Sequence, residues 1–403
     1  MPYDSRYFGS SGTPLIRIRD VLGGSIETRY DGPSLTAHRV RFGDVLIGMD
    51  GDFNVGRWTH EEEGLLNQRV LALHGSRDAT AWLAYYLPVP LSIVNDLTYS
   101  TTVKHLSSAQ AAAIRVPVPP ESQRRSVLDY LDHETAEIDA FITDLQELRN
   151  RLNEENAARI HAGVTGRLGR SGELFGECTE WTGPLPQGWQ TPRLSWVFRH
   201  IGSGTTPQAD DEEAFDGDIP WVVTGELRET HITHTHRRIS PTALRRYSAL
   251  EVFPRQTLLI AMYGATVGRL GWLETPAAVN QAVCAMSGYE YGDFKYMFYV
   301  LSAARPHLLS RAVGGGQPNI NQELIRSLRV PLPPRGTQDQ IVNELERSLS
   351  DVREMSALAE RAIDFARERR SALISAVVTG QVDVGQKHRP VAEQLEDEVQ
   401  QLS

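Results

Sequence analysis

Apolar positions change period along this chain, and they do so in the same order twice. In residues 1–120 short apolar runs alternate with turn residues. Leu15-Ile16-Arg17-Ile18-Arg19 and Val45-Leu46-Ile47-Gly48-Met49 predict strands by their branched content. Trp221-Val222-Val223, Leu258-Leu259-Ile260-Ala261-Met262 and Ala278-Val279-Asn280-Gln281-Ala282-Val283 give a later region the same texture, and Arg193 to Phe198 reads as a further strand. Helical stretches follow at matching places, near 80–95 and 293–311. Each region predicts a compact α+β domain.

The period then lengthens. Ile138, Phe141, Leu145, Leu148 and Leu152 step by 3, 4, 3 and 4, the spacing of a coiled-coil seam. Leu345, Leu349, Val352, Ala359, Ile363, Ala366, Leu373 and Val377 share one heptad register, interrupted at Ser356 and Arg370. About 40 helical residues at about 1.5 Å each make a rod of about 60 Å. Proline fixes φ and disfavours helix in the residue before it, so Pro117-Val118-Pro119-Pro120 and Pro331-Leu332-Pro333-Pro334 give each domain a stiff, extended exit into its rod. Each rod stops at Thr-Gly, Thr165-Gly166 and Thr379-Gly380, where glycine takes a left-handed cap. A single heptad stripe is more often one side of a bundle. Two stripes of like length with matched ends can pair, and an antiparallel pair would hold the domains at opposite ends.

The recurrence is a duplication. Ile114 to Pro120 returns as Leu328 to Pro334, and Val164-Thr165-Gly166 returns as Val378-Thr379-Gly380, at one offset (328 − 114 = 378 − 164 = 214). Met49 to Arg57 parallels Met262 to Arg269, each running from strand through a glycine turn to Val-Gly-Arg, and Asn67-Gln68 parallels Asn280-Gln281. A unit of about 200 residues is a domain plus a connector, well beyond the 20–50 residues of a solenoid repeat. The expected organisation is a first domain over 1–120, a spacer helix over 121–166, a second domain over 171–334, a second spacer over 335–380 and a tail over 381–403. The second domain opens on Leu185-Pro186-Gln187-Gly188-Trp189 and Ile201-Gly202-Ser203-Gly204-Thr205-Thr206-Pro207, which have no counterpart in the first. The first domain therefore reads as shortened on its N-terminal side. The Glu- and Gln-rich tail reads as an exposed helix or as disordered.

Composition narrows the function. The 403 residues are 40% hydrophobic and 23% charged, ordinary for a globular protein, and hold no apolar run long enough for a membrane span. Cys178 and Cys284 are far apart and in no metal spacing, which fits a reducing cytoplasm with each as a buried small hydrophobe. The net charge of −10 is uneven: residues 1–120 and 171–334 carry −1 and −2, and residues 121–170 and 335–403 carry −3 and −4. The domains are near neutral, so a DNA-binding role would need partners to supply much of the phosphate neutralisation.

Motifs for chemistry are absent. There is no G-x-x-x-x-G-K-[ST], no G-x-G-x-x-G opening a helix and no H-E-x-x-H, so neither catalysis nor a cofactor is expected in this chain. His231, His234 and His236 lack carboxylate or cysteine ligands nearby; a surface strand close to phosphate, with Arg237 and Arg238, is the better reading than metal. Gly314-Gly315-Gly316-Gln317 reads as a flexible turn. Arginine at the rim of a glycine turn, Arg57 or Arg269, can fork onto guanine or clamp phosphate. Asn67 and Asn280 could pair with adenine, but satisfying loop backbone is the favoured role.

Taken together, these residues resemble the specificity subunit of type I restriction-modification systems. The resemblance rests on Ile219-Pro220-Trp221-Val222-Val223-Thr224-Gly225-Glu226-Leu227, Met262-Tyr263-Gly264-Ala265-Thr266-Val267-Gly268-Arg269, Val279-Asn280-Gln281-Ala282 and Gly314 to Asn321. It continues through Val330 to Pro334, Gln338 to Ile341 and the closing Val378-Thr379-Gly380. It implies two target recognition domains joined by two long helices packed as an antiparallel coiled coil, each domain reading half of a bipartite DNA sequence. It also implies methyltransferase subunits docked on the helices, with S-adenosylmethionine, and endonuclease/translocase subunits with ATP and Mg²⁺. Candidate DNA contacts by chemistry are Arg57, Lys104 and His105 in the first domain. In the second they are Arg237, Arg238, Tyr263, Arg269, Gln317 and Asn319. The competing reading is a coiled-coil scaffold that binds protein only.

Overall fold

The computed structural model of the protein describes residues 3–33, 38–98, 103–168, 176–208, 210–312, 319–382 and 384. It divides into two compact units, residues 1–147 with 358–403 and residues 148–357, so both long helices cross the division.

The first unit carries strands β1 (Phe8–Gly9), β2 (Thr13–Ile16), β3 (Arg29–Tyr30), β4 (Arg39–Val40), β5 (Val45–Gly48), β6 (Val55–Arg57), β7 (Gly64–Leu66) and β8 (Val70–Leu73). They form two sheets, ordered β1-β3-β2-β7-β4 and β6-β5-β8. β5 is buried on both faces, which explains its unbroken apolar run: Leu46 packs with Ile16, Val21, Val40 and Trp58, while Val45 and Ile47 pack with Phe53, Leu87, Leu91 and Leu106. The predicted strand through Arg19 stops at Ile16. There the Arg17 N–H donates to the Asp20 carboxylate at 2.8 Å and the chain turns into a 3-10 helix over Ile18–Asp20. The helix expected near 80–95 is two helices, α1 (Arg77–Tyr86) and α2 (Pro88–Leu97), because proline has no N–H to continue the ladder and suits a first turn. A short helix, α3 (Ser108–Ala112), follows.

The second unit repeats this plan. After helix α4 (Glu121–Val164) come β9 (Cys178–Thr179), β10 (Gly183–Pro184), α5 (Leu194–Val197), β11 (Phe198–Ser203), α6 (Glu212–Phe215) and β12 (Ile219–Val222). Next are β13 (His231–Ile232), β14 (Arg237–Ile239), α7 (Pro241–Arg246), β15 (Leu258–Ala261), β16 (Leu270–Leu273), β17 (Ala278–Val279) and β18 (Val283–Tyr289). Helices α8 (Phe294–Ser310), α9 (Gln322–Ser327) and α10 (Arg335–Val378) complete it. The sheets run β14-β12-β17 and β11-β18-β15-β16-β13. The parallel pairing of Leu15 with Leu65 and Ile16 with Leu66 returns as Trp221 with Ala278 and Val222 with Val279. The Arg17–Asp20 turn returns as Val223 N–H donating to Glu226 at 2.9 Å.

Three expectations are corrected here. Arg193 to Phe198 is mostly one helical turn, since Leu194 and Val197 bury at a three-residue spacing while Trp196 is 69% exposed. The run from Ala278 to Val283 breaks at Asn280, whose side chain accepts from the Ala282 N–H at 3.1 Å; Asn67 accepts from the Arg69 N–H at 3.1 Å in the same way. Cys284 is buried, and burial pushes its thiol up to about 12, but Cys178 lies exposed in the β9–β10 hairpin.

Each long helix has 44 residues. Within the first unit they pair antiparallel: Leu131 packs with Ile374 and Val377, and Ile138, further along α4, packs with the earlier Ile363 and Ala366. In the second unit Val164, at the end of α4, packs with Leu345 and Leu349, near the start of α10. Leu345, Leu349, Val352 and Ile363 are buried as the seam requires, as are Ile138 and Leu152; Phe141 and Leu145 are half-buried. Leu148 is 41% exposed, and Ile142, which the 3-4 stepping passed over, is buried. The break in the register at Arg370 is a cross-helix ion pair: its guanidinium meets Asp139 through two bonds of 2.8 and 3.0 Å. The tail over 385–403 lies outside the described residues, and no described helix is long and apolar enough to cross a membrane.

Candidate nucleic-acid interface

Two loop platforms recur, one in each unit. In the first, the turn after β5 meets the segment leading into α3: Asp50 bridges His105, and the Leu106 N–H donates to the Met49 carbonyl at 2.7 Å. In the second, Tyr263 bridges Asn319, and the Ile320 N–H donates to the Met262 carbonyl at 2.8 Å. Ser107 and Asn321 then cap the short helices α3 and α9. The backbone is the same and the side chains differ.

On the first platform the His105 ring nitrogen Nδ1 lies 2.6 Å from the Asp50 carboxylate, which also meets Arg69 at 3.2 Å. The Lys104 ammonium donates to the Asn95 side-chain carbonyl at 2.9 Å, and the Asn95 amide donates to the Gly51 carbonyl. Lys104 and His105 are thus brought together and already braced. Asp50, Arg69 and Asn95 belong to the same cluster and carry no motif of their own. The 214-residue offset, which maps His105 onto Asn319, is the signal that would have found it.

On the second platform Tyr263 is half-buried, and burial raises its hydroxyl above the ordinary tyrosine range. Arg269 is exposed on the same turn and has no side-chain partner among the described residues. Arg237 and Arg238 sit together on β14; Arg237 lies over the Phe215 ring at 5.4 Å and Arg238 donates to the Asp218 carbonyl at 3.3 Å. With Glu212, Asp216 and His236 they line a cavity of about 490 Å³. Gln317 and the glycine turn before it lie outside the described residues. Among the described residues no group of three or more His, Cys, Asp or Glu side chains could hold a metal ion.

The structure separates Arg57 from these residues. The hairpin register pairs Val45 with Arg57 and Leu258 with Trp272, so Arg57 corresponds to Trp272, and the two Val-Gly-Arg motifs are out of step. Arg57 lines a cleft of about 640 Å³ within the first unit, beside Leu22, Tyr85, Asp139, Arg367 and Arg370, and its buried Nε has no hydrogen-bond partner. Trp272 instead packs edge-on against Phe298 with ring centres 5.0 Å apart.

Comparison with known proteins gives this geometry a family. Residues 186–354 match the model of the type I restriction modification DNA specificity domain. The chain is 30% identical over 352 residues to the type I restriction enzyme EcoBI specificity subunit of Escherichia coli, covering 83% of this chain and 73% of that one. It is 23% identical over 168 residues to the MjaIX specificity subunit of Methanocaldococcus jannaschii, covering 40% and 38%. A chain from a structure bearing on complex assembly and conformational transition of the type I R-M system shares the fold at a TM-score of 0.55 and 19% identity, over 90% of this chain and 89% of that one. Duplicated platforms, paired helices and a relative this similar over most of both chains lead to one conclusion: the protein belongs to the family of type I restriction-modification specificity subunits.

Proposed function

We propose that this chain is the DNA-reading, non-catalytic subunit of a type I restriction-modification complex. Its two α+β regions act as target recognition domains, each reading one half of a bipartite duplex site. The paired helices set the gap between the halves and dock two methyltransferase subunits, which bring S-adenosylmethionine. Endonuclease/translocase subunits with ATP and Mg²⁺ join for cleavage. The observation that carries this reading is the pair of loop platforms: Asp50–His105 and Tyr263–Asn319 put different side chains on one backbone geometry, as two readers of different sequences require. Charge agrees with it, because a chain of net charge −10 needs cationic partners to hold a polyanion.

The test is methylation-sensitive sequencing of cells expressing this chain with its methyltransferase and endonuclease partners. The expected marks fall in a split site, and exchanging residues 171–334 for those of a relative changes one half only. Marks in a continuous site, or a change in both halves, would reject the model.

A further inference from the structure

One place on the fold carries different chemistry in the two units. In the second, Trp272 on β16 packs edge-on against Phe298 on α8 with ring centres 5.0 Å apart, and the Phe294 ring lies 6.1 Å away. In the first, the hairpin register puts Arg57 where Trp272 stands. Ala84 on α1 holds the place of Phe298 at the offset of the duplication (84 + 214 = 298). Two aromatic rings are exchanged for a guanidinium and a methyl group, and the cleft of about 640 Å³ opens beside both. The long helices add charge to it: Asp139 of α4 and Arg367 and Arg370 of α10 line the same cleft. In their places the second unit carries Arg353, Asn153 and Asn156, and Arg353 is bonded to the Tyr299 hydroxyl at 3.1 Å. The arginines of the first unit are therefore no requirement of the shared fold.

The three guanidiniums are not equally occupied. Arg370 meets Asp139 through two bonds of 2.8 and 3.0 Å, and Arg367 meets Asp364 at 3.3 Å in a pair more than half exposed. Arg57 has neither: its Nε is buried and has no hydrogen-bond partner among the described residues. Three arginines against two aspartates leave one positive charge, and it resides on Arg57. A buried charged donor left unmatched bears its full desolvation penalty, which an acceptor entering the cleft would relieve. Leu22, Val55, Ile142 and Ile374 give the cleft an apolar wall beside that donor.

We propose that this cleft binds a small organic oxyanion. A carboxylate or phosphate head accepts from Arg57, and an apolar body joined to it lies against Leu22, Val55, Ile142 and Ile374. A guanidinium presents parallel N–H donors that match either head. Small-molecule sites of about 300–1,000 Å³ likewise join an apolar lining to a few placed polar groups. Because Asp139 and Ile142 belong to α4, and Arg370 and Ile374 to α10, the bound ligand bridges the two helices within this unit.

The probes are phenyl phosphate and phenylacetate, titrated calorimetrically onto the full chain, with inorganic phosphate and phenol as head and body alone. At least one of the two organic oxyanions binds one-to-one with a Kd at or below about 1 mM, and the tighter of them names the head. Inorganic phosphate and phenol each bind roughly tenfold more weakly or worse. Arg57→Gln weakens the oxyanion about tenfold or more, the loss of a charge-assisted bond. Ala84→Phe does the same by filling the space with the ring that the second unit carries. Three results overturn the proposal: no saturable binding of either organic oxyanion; phenol or inorganic phosphate bound as tightly as the whole; or an affinity unchanged in either variant. Unchanged far-ultraviolet circular dichroism separates lost binding from lost folding, and because the two substitutions act by different means, one folded variant suffices to decide.

Discussion

Tyr85 donates its hydroxyl to the Asp132 carboxylate at 2.7 Å, and 214 residues later Tyr299 donates to Glu346 at 2.5 Å. One helix of the α+β region is thereby tied to the start of a long helix in each unit. A second tie runs in parallel: the Trp82 indole donates to the Pro117 carbonyl at 2.9 Å, and the Tyr296 hydroxyl to the Pro331 carbonyl at 3.2 Å. The proline-rich exits are thus held by hydrogen bonds as well as by their own stiffness. Replacing Tyr85 or Tyr299 by phenylalanine removes a bond to a charged acceptor and should lower unfolding free energy by about 1–2 kcal/mol each. Urea denaturation measures it, and a change near zero in both would show that the ties are incidental.

The same tyrosines give the protein an alkaline limit. Burial, the largest cause, pushes Tyr85 and Tyr299 from 10.0 up to about 12, and it raises Tyr289 and Tyr296 further. Unfolded tyrosine ionises near 10, so between about pH 10 and 12 the folded state holds more protons and stability falls as pH rises. Their contribution is whole below pH 10 and is lost as pH passes through the raised values. Denaturation midpoints at pH 8, 10 and 11.5 should decline between the last two, and by less in Tyr85→Phe.

Two glycines of equal rank should respond unequally. A Cβ on Gly56 would overlap the Val21 carbonyl, which is backbone, whereas on Gly271 it would meet the Leu227 side chain at 3.0 Å and the Thr230 carbonyl only at 3.3 Å. A side chain can move aside; a turn of backbone cannot without cost. Gly56→Ala should cost about 1–3 kcal/mol and Gly271→Ala less, in thermal or chemical unfolding of the separate variants.

The helix seam makes a sharper contrast. Leu345→Ala empties a fully buried position and should cost about 2–5 kcal/mol. Leu148→Ala, at a position of the same heptad rank but 41% exposed, should stay within about 0.5 kcal/mol. Similar losses in both would mean that the helices pack through the predicted stepping after all.

DNA binding by the assembled complex should separate two arginines. Arg269 is exposed and unpaired on its turn among the described residues, so Arg269→Ala should reduce the slope of log affinity against log salt by about 1. Arg57 faces the long helices in its cleft, so Arg57→Ala should leave that slope unchanged.

The duplication, the α+β texture and the antiparallel helices were legible because each rests on periodicity or on a fixed offset. What sequence could not give was set by local competition for hydrogen bonds. Asp20 and Glu226 draw backbone N–H groups into turns where branched residues promised strand. Arg370 leaves the heptad to meet Asp139. The Val-Gly-Arg motif misled for a different reason: the turn between paired Ile47 and Val55 is two residues shorter than that between Ile260 and Leu270, so identical triplets fall at different heights on the hairpin. Arg57 therefore shares its triplet with Arg269 but its place on the hairpin with Trp272. The platform residues Asp50, Arg69 and Asn95 went unseen because nothing in their order along the chain foretells that they converge.

At the two platforms main chain meets main chain, Asp50 against His105 and Tyr263 against Asn319, so each loop has a backbone tie that does not depend on its outward side chains. Mutation can redraw the chemistry at those four positions while the backbone bonds from Leu106 to Met49 and from Ile320 to Met262 stay as they are. Under the proposed function, a new target then needs few changes, made on one side without disturbing the other.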